Sequence, residues 1–194
     1  PAAEAGPALV AAFSRELETL AGYAHPVNSL DTAAGVVLDI LRNHQARTVM
    51  AWAEPEDLAL ATIRAAITRA GISVINYTLG SIAAERRDQL ADLDGIIVGI
   101  TGSQGGLADS GALALVSGEG RGRLPSLLPP VHIAILSRQR IFPSLPAFLA
   151  AHSEVISQGS NLVFIAGPSR TGDIEMTLTM GVHGPGEVHV ILTP

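Results

Sequence analysis

The sequence predicts an α/β fold with a mostly parallel sheet flanked by helices, and three observations carry that prediction. Apolar, β-branched runs alternate with helix-period segments for most of the chain, the pattern of parallel strands joined by crossover helices. The run GIIVGITG, residues 95–102, is apolar on consecutive positions, as in a strand buried on both faces. Glycine-rich turns follow several of these strands, and open α/β sheets bind ligands beyond the carboxyl ends of their strands.

The elements follow in order. Residues 8–21 place Leu9, Phe13, Leu17 and Leu20 at helical spacing. Asp31 is a natural cap for a second helix, TAAGVVLDILRNH. RTVMAWA reads as a buried strand. EPEDLALATIRAAITRAG reads as a helix with acids in its first turn, Ile63 and Ile67 on one face and Gly71 as its stop. ISVINY is the next strand and AAERRDQLADL the next helix. After residues 95–102 comes SQGGLADSGALALVS, a glycine-rich turn feeding an apolar segment, and then the loop GEGRGRLPSLLPP. VHIAILS and RQRIFPS read as strands, LPAFLAAHSEVIS as a helix and NLVFIAG as a strand. A short helix in TGDIEMTLTMG and the strand EVHVILTP close the chain. With no internal repeat and no break in composition, we read residues 1–194 as a single domain.

Apolar residues make up 47% of the 194 and charged residues 15%, so the helices and strands must be well buried, with room for a homo-oligomer interface. No apolar run approaches the roughly 18 residues of a membrane span. A net charge of −6, with twelve basic residues and no basic run, argues against nucleic acid as a partner. Trp52 and Tyr77 are too isolated to form a base-stacking platform. There is no cysteine, which excludes disulfides, thiolate nucleophiles and any cluster held by cysteines of this chain. The opening PAAEAGPALVAAF has no basic n-region, so we read no signal peptide and expect a cytoplasmic protein.

Candidate chemistry gathers in two stretches. The first is TGSQGGLADSGALAL. It has neither a dinucleotide nor a Walker fingerprint, but its amides around Thr101, Gly102, Ser110 and Gly111 could cradle an anion. Asp109 adds an acid there, and the competing reading is a plain hairpin turn. The second is GPSRTGDIEMTLTMGVHGPGEVHV, residues 167–190. Ser169 or Thr171 could cap a helix, and Asp173 is read equally as a first-turn acid or a ligand group. With Thr171 as cap, Glu175 falls one residue beyond the capping-box position, which leaves it free for chemistry. His183 is the acid–base candidate beside those acids. His189 alternates with apolar residues in a strand and reads as structural, and His132 reads as a core histidine. His183 and His189 are six apart, unlike a helical metal pair, so we expect no metal site.

The stretches IVGITGSQGGLADSGALAL, PPVHIAILSRQRIF and FIAGPSRTGDIEMTLTMGVHGPGEVHVIL together resemble the LUD-domain family, in particular its short lactate-utilisation C type. The resemblance is strongest from residue 95 to the end, and the pattern from Gly167 to Pro185 is its most specific part. Where the family usually has Ala-Glu-Thr-Gly-Thr, this chain has Ala108-Asp109-Ser110-Gly111-Ala112, losing the second threonine hydroxyl. The resemblance implies a NagB/RpiA/CoA transferase-like α/β fold over residues 1–194, with residues 1–25 as an N-terminal helical extension. It also implies oxidation of L-lactate to pyruvate together with iron–sulfur partner subunits. This chain would bind no cofactor itself; the clusters would sit in those partners. On the residue reading above, Glu175, His183 and Asp109 are the catalytic candidates. Thr101, Gly102, Ser110, Gly111, Ser169, Thr171 and Asp173 would hold a small anionic ligand. The alternative is a non-catalytic assembly or regulatory module for the iron–sulfur subunits. Either way, the site requires the two glycine-rich stretches to meet in space.

Overall fold

Among the described residues, six parallel strands form the central sheet, and the most apolar runs of the sequence occupy its middle. The computed structural model describes residues 6–53, 57–76, 93, 95–154, 161–172, 178–180 and 184–194, with the side chains of 171–172 and 178–180 left aside. In chain order the strands of this sheet are β1 (Tyr23–Pro26), β2 (Thr48–Ala51), β3 (Ser73–Ile75), β4 (Val98–Gly102), β7 (Val131–Ser137) and β12 (Glu187–Thr193). Their spatial order is β1-β12-β7-β4-β2-β3, every pairing parallel. The run 95–102 does become an inner strand: all five residues of β4 are buried, whereas the edge strands β1 and β3 are half exposed. This is the α/β architecture the alternation predicts.

Helices α1 (Pro7–Thr19), α2 (Leu30–Asn43) and α3 (Leu58–Arg69) pack on this sheet through apolar stripes. Phe13 and Leu17 of α1, four residues apart on one face, are both fully buried in the main core. Burial of each contributes about 1.5–3 kcal/mol. α2 buries Ala33, Val37, Ile40 and Leu41, and α3 buries Leu60, Ile63 and Ile67. Two helix starts differ from expectation. Ser29, not Asp31, caps α2: its hydroxyl accepts from the Thr32 amide at 3.1 Å, and Asp31 lies in the first turn. In α3 the carboxylate of Asp57 is the cap, accepting from the Leu60 amide at 3.0 Å, and the first turn holds no acid. The expected helix AAERRDQLADL lies almost wholly outside the described residues.

A second sheet, unforeseen in the alternation, covers part of the first. Strands β5 (Gly105–Leu107), β6 (Ala112–Ser117), β8 (Ile141–Phe142) and β9 (Asn161–Ile165) pair in the order β8-β5-β6-β9. β6 shows why an apolar strand here need not be parallel. Its period of two sends Leu113 and Leu115 into the main core, while Ala112 and Ala114 join Leu107 and Phe148 in a second cluster. Phe148 comes from α4 (Leu145–Ala151), and its ring meets Phe142 edge-on with centroids 5.4 Å apart. RQRIFPS is therefore not one strand: Arg138–Arg140 make a 3-10 turn before the two-residue β8. The expected helix in TGDIEMTLTMG is also corrected, because β10 (Arg170–Gly172) and β11 (Leu178–Met180) pair antiparallel there. Thr and Leu at alternate positions suit a strand, and pairing satisfies the backbone that a short helix would otherwise carry.

Candidate functional site

The two glycine-rich bends meet on one helix end. Gly111 closes the β5–β6 turn with φ of 63°, and a Cβ there would lie 2.4 Å from the Leu17 amide nitrogen of α1. Gly167 follows β9 with φ of 75°, and a Cβ there would lie 2.9 Å from the Leu20 Cβ. Both positions demand a left-handed backbone and tolerate no side chain, so only glycine brings these bends against the last turn of α1. The Arg170 guanidinium fastens the second bend by donating to the Leu20 carbonyl. That carbonyl is among the ones a helix C-terminus leaves without an intrahelical partner. Beside this junction, a groove of about 360 Å³ is lined by Glu18, Ala21, Gly22, Tyr23, Ala24 and His25.

The sequence-derived candidates distribute unevenly around the junction. Asp109 is exposed and Ser110 half-buried on the β5–β6 turn, next to Gly111. The amides of Ser110 and Gly111 both donate to the Leu107 carbonyl, at 3.4 and 2.9 Å, so the stretch is a tight hairpin turn. Ser169 lies in the second bend, where its amide donates to the Pro185 carbonyl at 2.8 Å. Thr171 pairs with Thr179 across β10 and β11. Thr101 and Gly102 lie apart from the junction, inside β4 and fully buried, and neither is open to a ligand in this conformation. Asp173, Glu175 and His183 lie outside the described residues.

Instead of facing a ligand, the Thr101 hydroxyl is 2.9 Å from Nε2 of His132 on the neighbouring strand β7. His132 is wholly buried, and its Nδ1 has no hydrogen-bond partner among the described residues. Burial holds this imidazole neutral and pushes its pKa down to about 3, with the nearby His189 a smaller cause. The unfolded chain binds this proton near pH 6.5, so stability is complete above that pH and is lost as pH falls from about 6.5 towards 3. Each pH unit in that window removes up to about 1.4 kcal/mol. We expect urea midpoints to fall between pH 7.5 and pH 5, and to fall less in His132→Gln. A variant with the wild-type slope would show that other groups drive the loss.

On the opposite face, the first residues of β12 build a polar cluster that periodicity could not reveal. His25 Nε2 lies 3.0 Å from His189 Nδ1, and the Tyr23 and His189 rings stack with centroids 4.7 Å apart. Glu187 Oε2 lies 3.0 Å from Nε2 of His44, which caps the C-terminus of α2, and 3.4 Å from Nε2 of His189. Burial lowers the His189 pKa, the hydrogen bond and charge of Glu187 raise it, and His44 lowers it. Burial and then His189 lower that of His25. The parallel register aligns Tyr23 with His189 and brings His25, 164 residues away in the chain, within reach of the same ring. The one signal in the sequence was EVHV, a polar–apolar alternation that placed Glu187 and His189 on one face of a strand.

Comparison with known proteins agrees with the fold. The LUD domain matches residues 10–193. A protein of Halalkalibacterium halodurans named lactate utilization protein C is 33% identical over 162 residues, which cover 80% of this chain and 66% of that one. Proteins of the same name from Shouchella clausii and a Geobacillus species are 33% and 47% identical over 161 and 92 residues. Those matches cover 80% and 45% of this chain, and 65% and 38% of the relatives. The chain thus spans about two thirds or less of the length of these relatives. The crystal structure of a DUF162 family protein from Deinococcus radiodurans superposes over the whole of both chains with a TM-score of 0.69 at 20% identity, a likeness of fold. No described helix is long and apolar enough to cross a membrane. With its parallel sheet, its paired bends and a match over nearly its full length, the chain belongs to the LUD domain family.

Proposed function

We propose that this chain is the cluster-free subunit of an L-lactate utilisation system and binds a small carboxylate or other anionic ligand where its two glycine-rich bends meet. The names of the relatives support the pathway. The observation that carries the site is the shared seat of Gly111 and Gly167 on residues 16–20, the last turn of α1 and its C-cap, beside an open groove. It brings Asp109 and Ser110 to the same corner as Ser169 and the strand bearing Thr171. Asp173, Glu175 and His183 complete the reading, with Glu175 and His183 as the acid–base pair.

Oxidation of L-lactate to pyruvate removes two electrons and two protons. An acid–base residue can take the hydroxyl proton, but the electrons need a redox group. With no cysteine, the chain offers no thiolate to hold an iron–sulfur cluster, and in this reading partner subunits carry the clusters and the system works in the cytoplasm. This chain would then bind and orient the anion for them.

Titration calorimetry with L-lactate, pyruvate and a CoA ester tests the binding step. We expect saturable binding of at least one, weakened tenfold or more by Glu175→Ala and by His183→Ala. Absence of binding, or equal binding by both variants, counts against the site. Growth on lactate separates the alternative role: if it requires the protein yet survives alanine at 109, 175 and 183 together, the chain serves assembly and not ligand chemistry.

A further inference from the structure

We propose that His44, Glu187 and His189 form a binding site for one divalent transition-metal ion of the zinc type. The three come from two elements that the fold holds together: His44 ends α2, while Glu187 and His189 point to one face of β12. One donor atom from each lies within 4.8 Å of the others. Bonds of about 2.0–2.1 Å at tetrahedral angles put neighbouring donors about 3.3 Å apart. The Glu187 oxygen is 3.0 Å from the His44 nitrogen and 3.4 Å from the His189 nitrogen, both close to that spacing, and the two imidazoles lie within 4.8 Å of each other.

The surroundings match a metal centre in two further respects. A histidine that binds through Nε2 needs its proton on Nδ1, and an outer hydrogen bond usually holds that tautomer. His25 Nε2, 3.0 Å from His189 Nδ1, is placed to accept that bond. His189 is the buried member, with 10% of its side chain exposed, while His44 and Glu187 are 26% and 40% exposed. An ion there is anchored from inside and approached from solvent, and three protein ligands leave a fourth position open, as in catalytic zinc sites. Imidazole nitrogen and carboxylate oxygen without thiolate suit Zn²⁺ and Co²⁺ and disfavour Cu⁺. None of the three ligands is among the anion-site residues proposed above, so either site can fail without the other.

Chelator-treated full chain is titrated with Zn²⁺ by calorimetry and with Co²⁺ by visible absorption. The expected result is one ion per chain, and a Co²⁺ spectrum of the intensity seen for four or five ligands. His44→Ala and Glu187→Gln, both at partly exposed positions, should each weaken binding at least tenfold, and His25→Ala by about tenfold. Circular dichroism identifies any variant that does not fold, and X-ray absorption of the wild-type zinc complex gives an independent ligand count of two nitrogens and a carboxylate. No stoichiometric uptake, or uptake unchanged in folded His44→Ala and Glu187→Gln, overturns the proposal and leaves the three groups as a hydrogen-bonded tie between α2 and β12.

Discussion

Trp52→Ala should lower stability by about 3–5 kcal/mol, the usual cost of emptying a large aromatic site in a core. Trp52 is fully buried just past β2, where its amide donates to the Ile100 carbonyl at 3.1 Å and extends the pairing with β4. Its indole Nε1–H donates to the Gly122 carbonyl at 2.7 Å, fixing the loop after β6 beside the end of β2. The same loop is held from Gly120, whose carbonyl accepts from the Ala53 amide and the Asn76 side chain, both at 2.9 Å. Alanine would leave a cavity and strip the Gly122 carbonyl of its donor. Trp52→Phe, which restores much of the volume but not the donor, should cost clearly less. Urea unfolding followed by circular dichroism measures both, since the only tryptophan fluorophore is removed. Equal losses in the two variants would show that the hydrogen bond, not packing, dominates.

Gly111→Ala should cost about 2–5 kcal/mol and disturb the junction as well as the fold. Two effects add. A left-handed backbone costs an L-residue about 1–2 kcal/mol, and a new methyl forced into packed structure costs about 1–3 kcal/mol. The methyl would meet backbone, the Leu17 nitrogen at 2.4 Å and the Glu16 carbonyl carbon at 2.8 Å, which cannot swing aside as a flexible side chain can. Gly71 supplies the control: its φ is 79°, but nothing lies within 4 Å of where a Cβ would stand. Gly71→Ala should therefore show only the backbone part. A Gly111→Ala loss no greater than that of Gly71→Ala would mean α1 is not pressed against the turn. If the anion site is where we propose, Gly111→Ala also weakens ligand binding, because the turn carrying Asp109 and Ser110 must move off the helix.

Local patterns in the chain were enough to establish the alternation of strands and helices, a buried middle strand within 95–102, the helical stripe of Phe13 and Leu17 and a hairpin turn within 101–115. These depend on periodicity and turn chemistry, which act over a few residues and are written in consecutive letters. Three things required the chain to be folded. The second sheet arises because β6 has apolar residues for two different cores, and a continuous apolar run looks the same whichever neighbours it has. The meeting of Gly111 and Gly167 on α1 depends on a close approach of backbones more than 90 residues away from the first and more than 140 from the second, for which glycine is a necessary but silent condition. The histidine cluster exists because β1 joins the sheet beside β12, and because α2 ends over Glu187. Strand order and crossover paths are set by long-range burial, not by local preference, and that is why His25, His44 and His189 read as unrelated residues until the sheet brought them together.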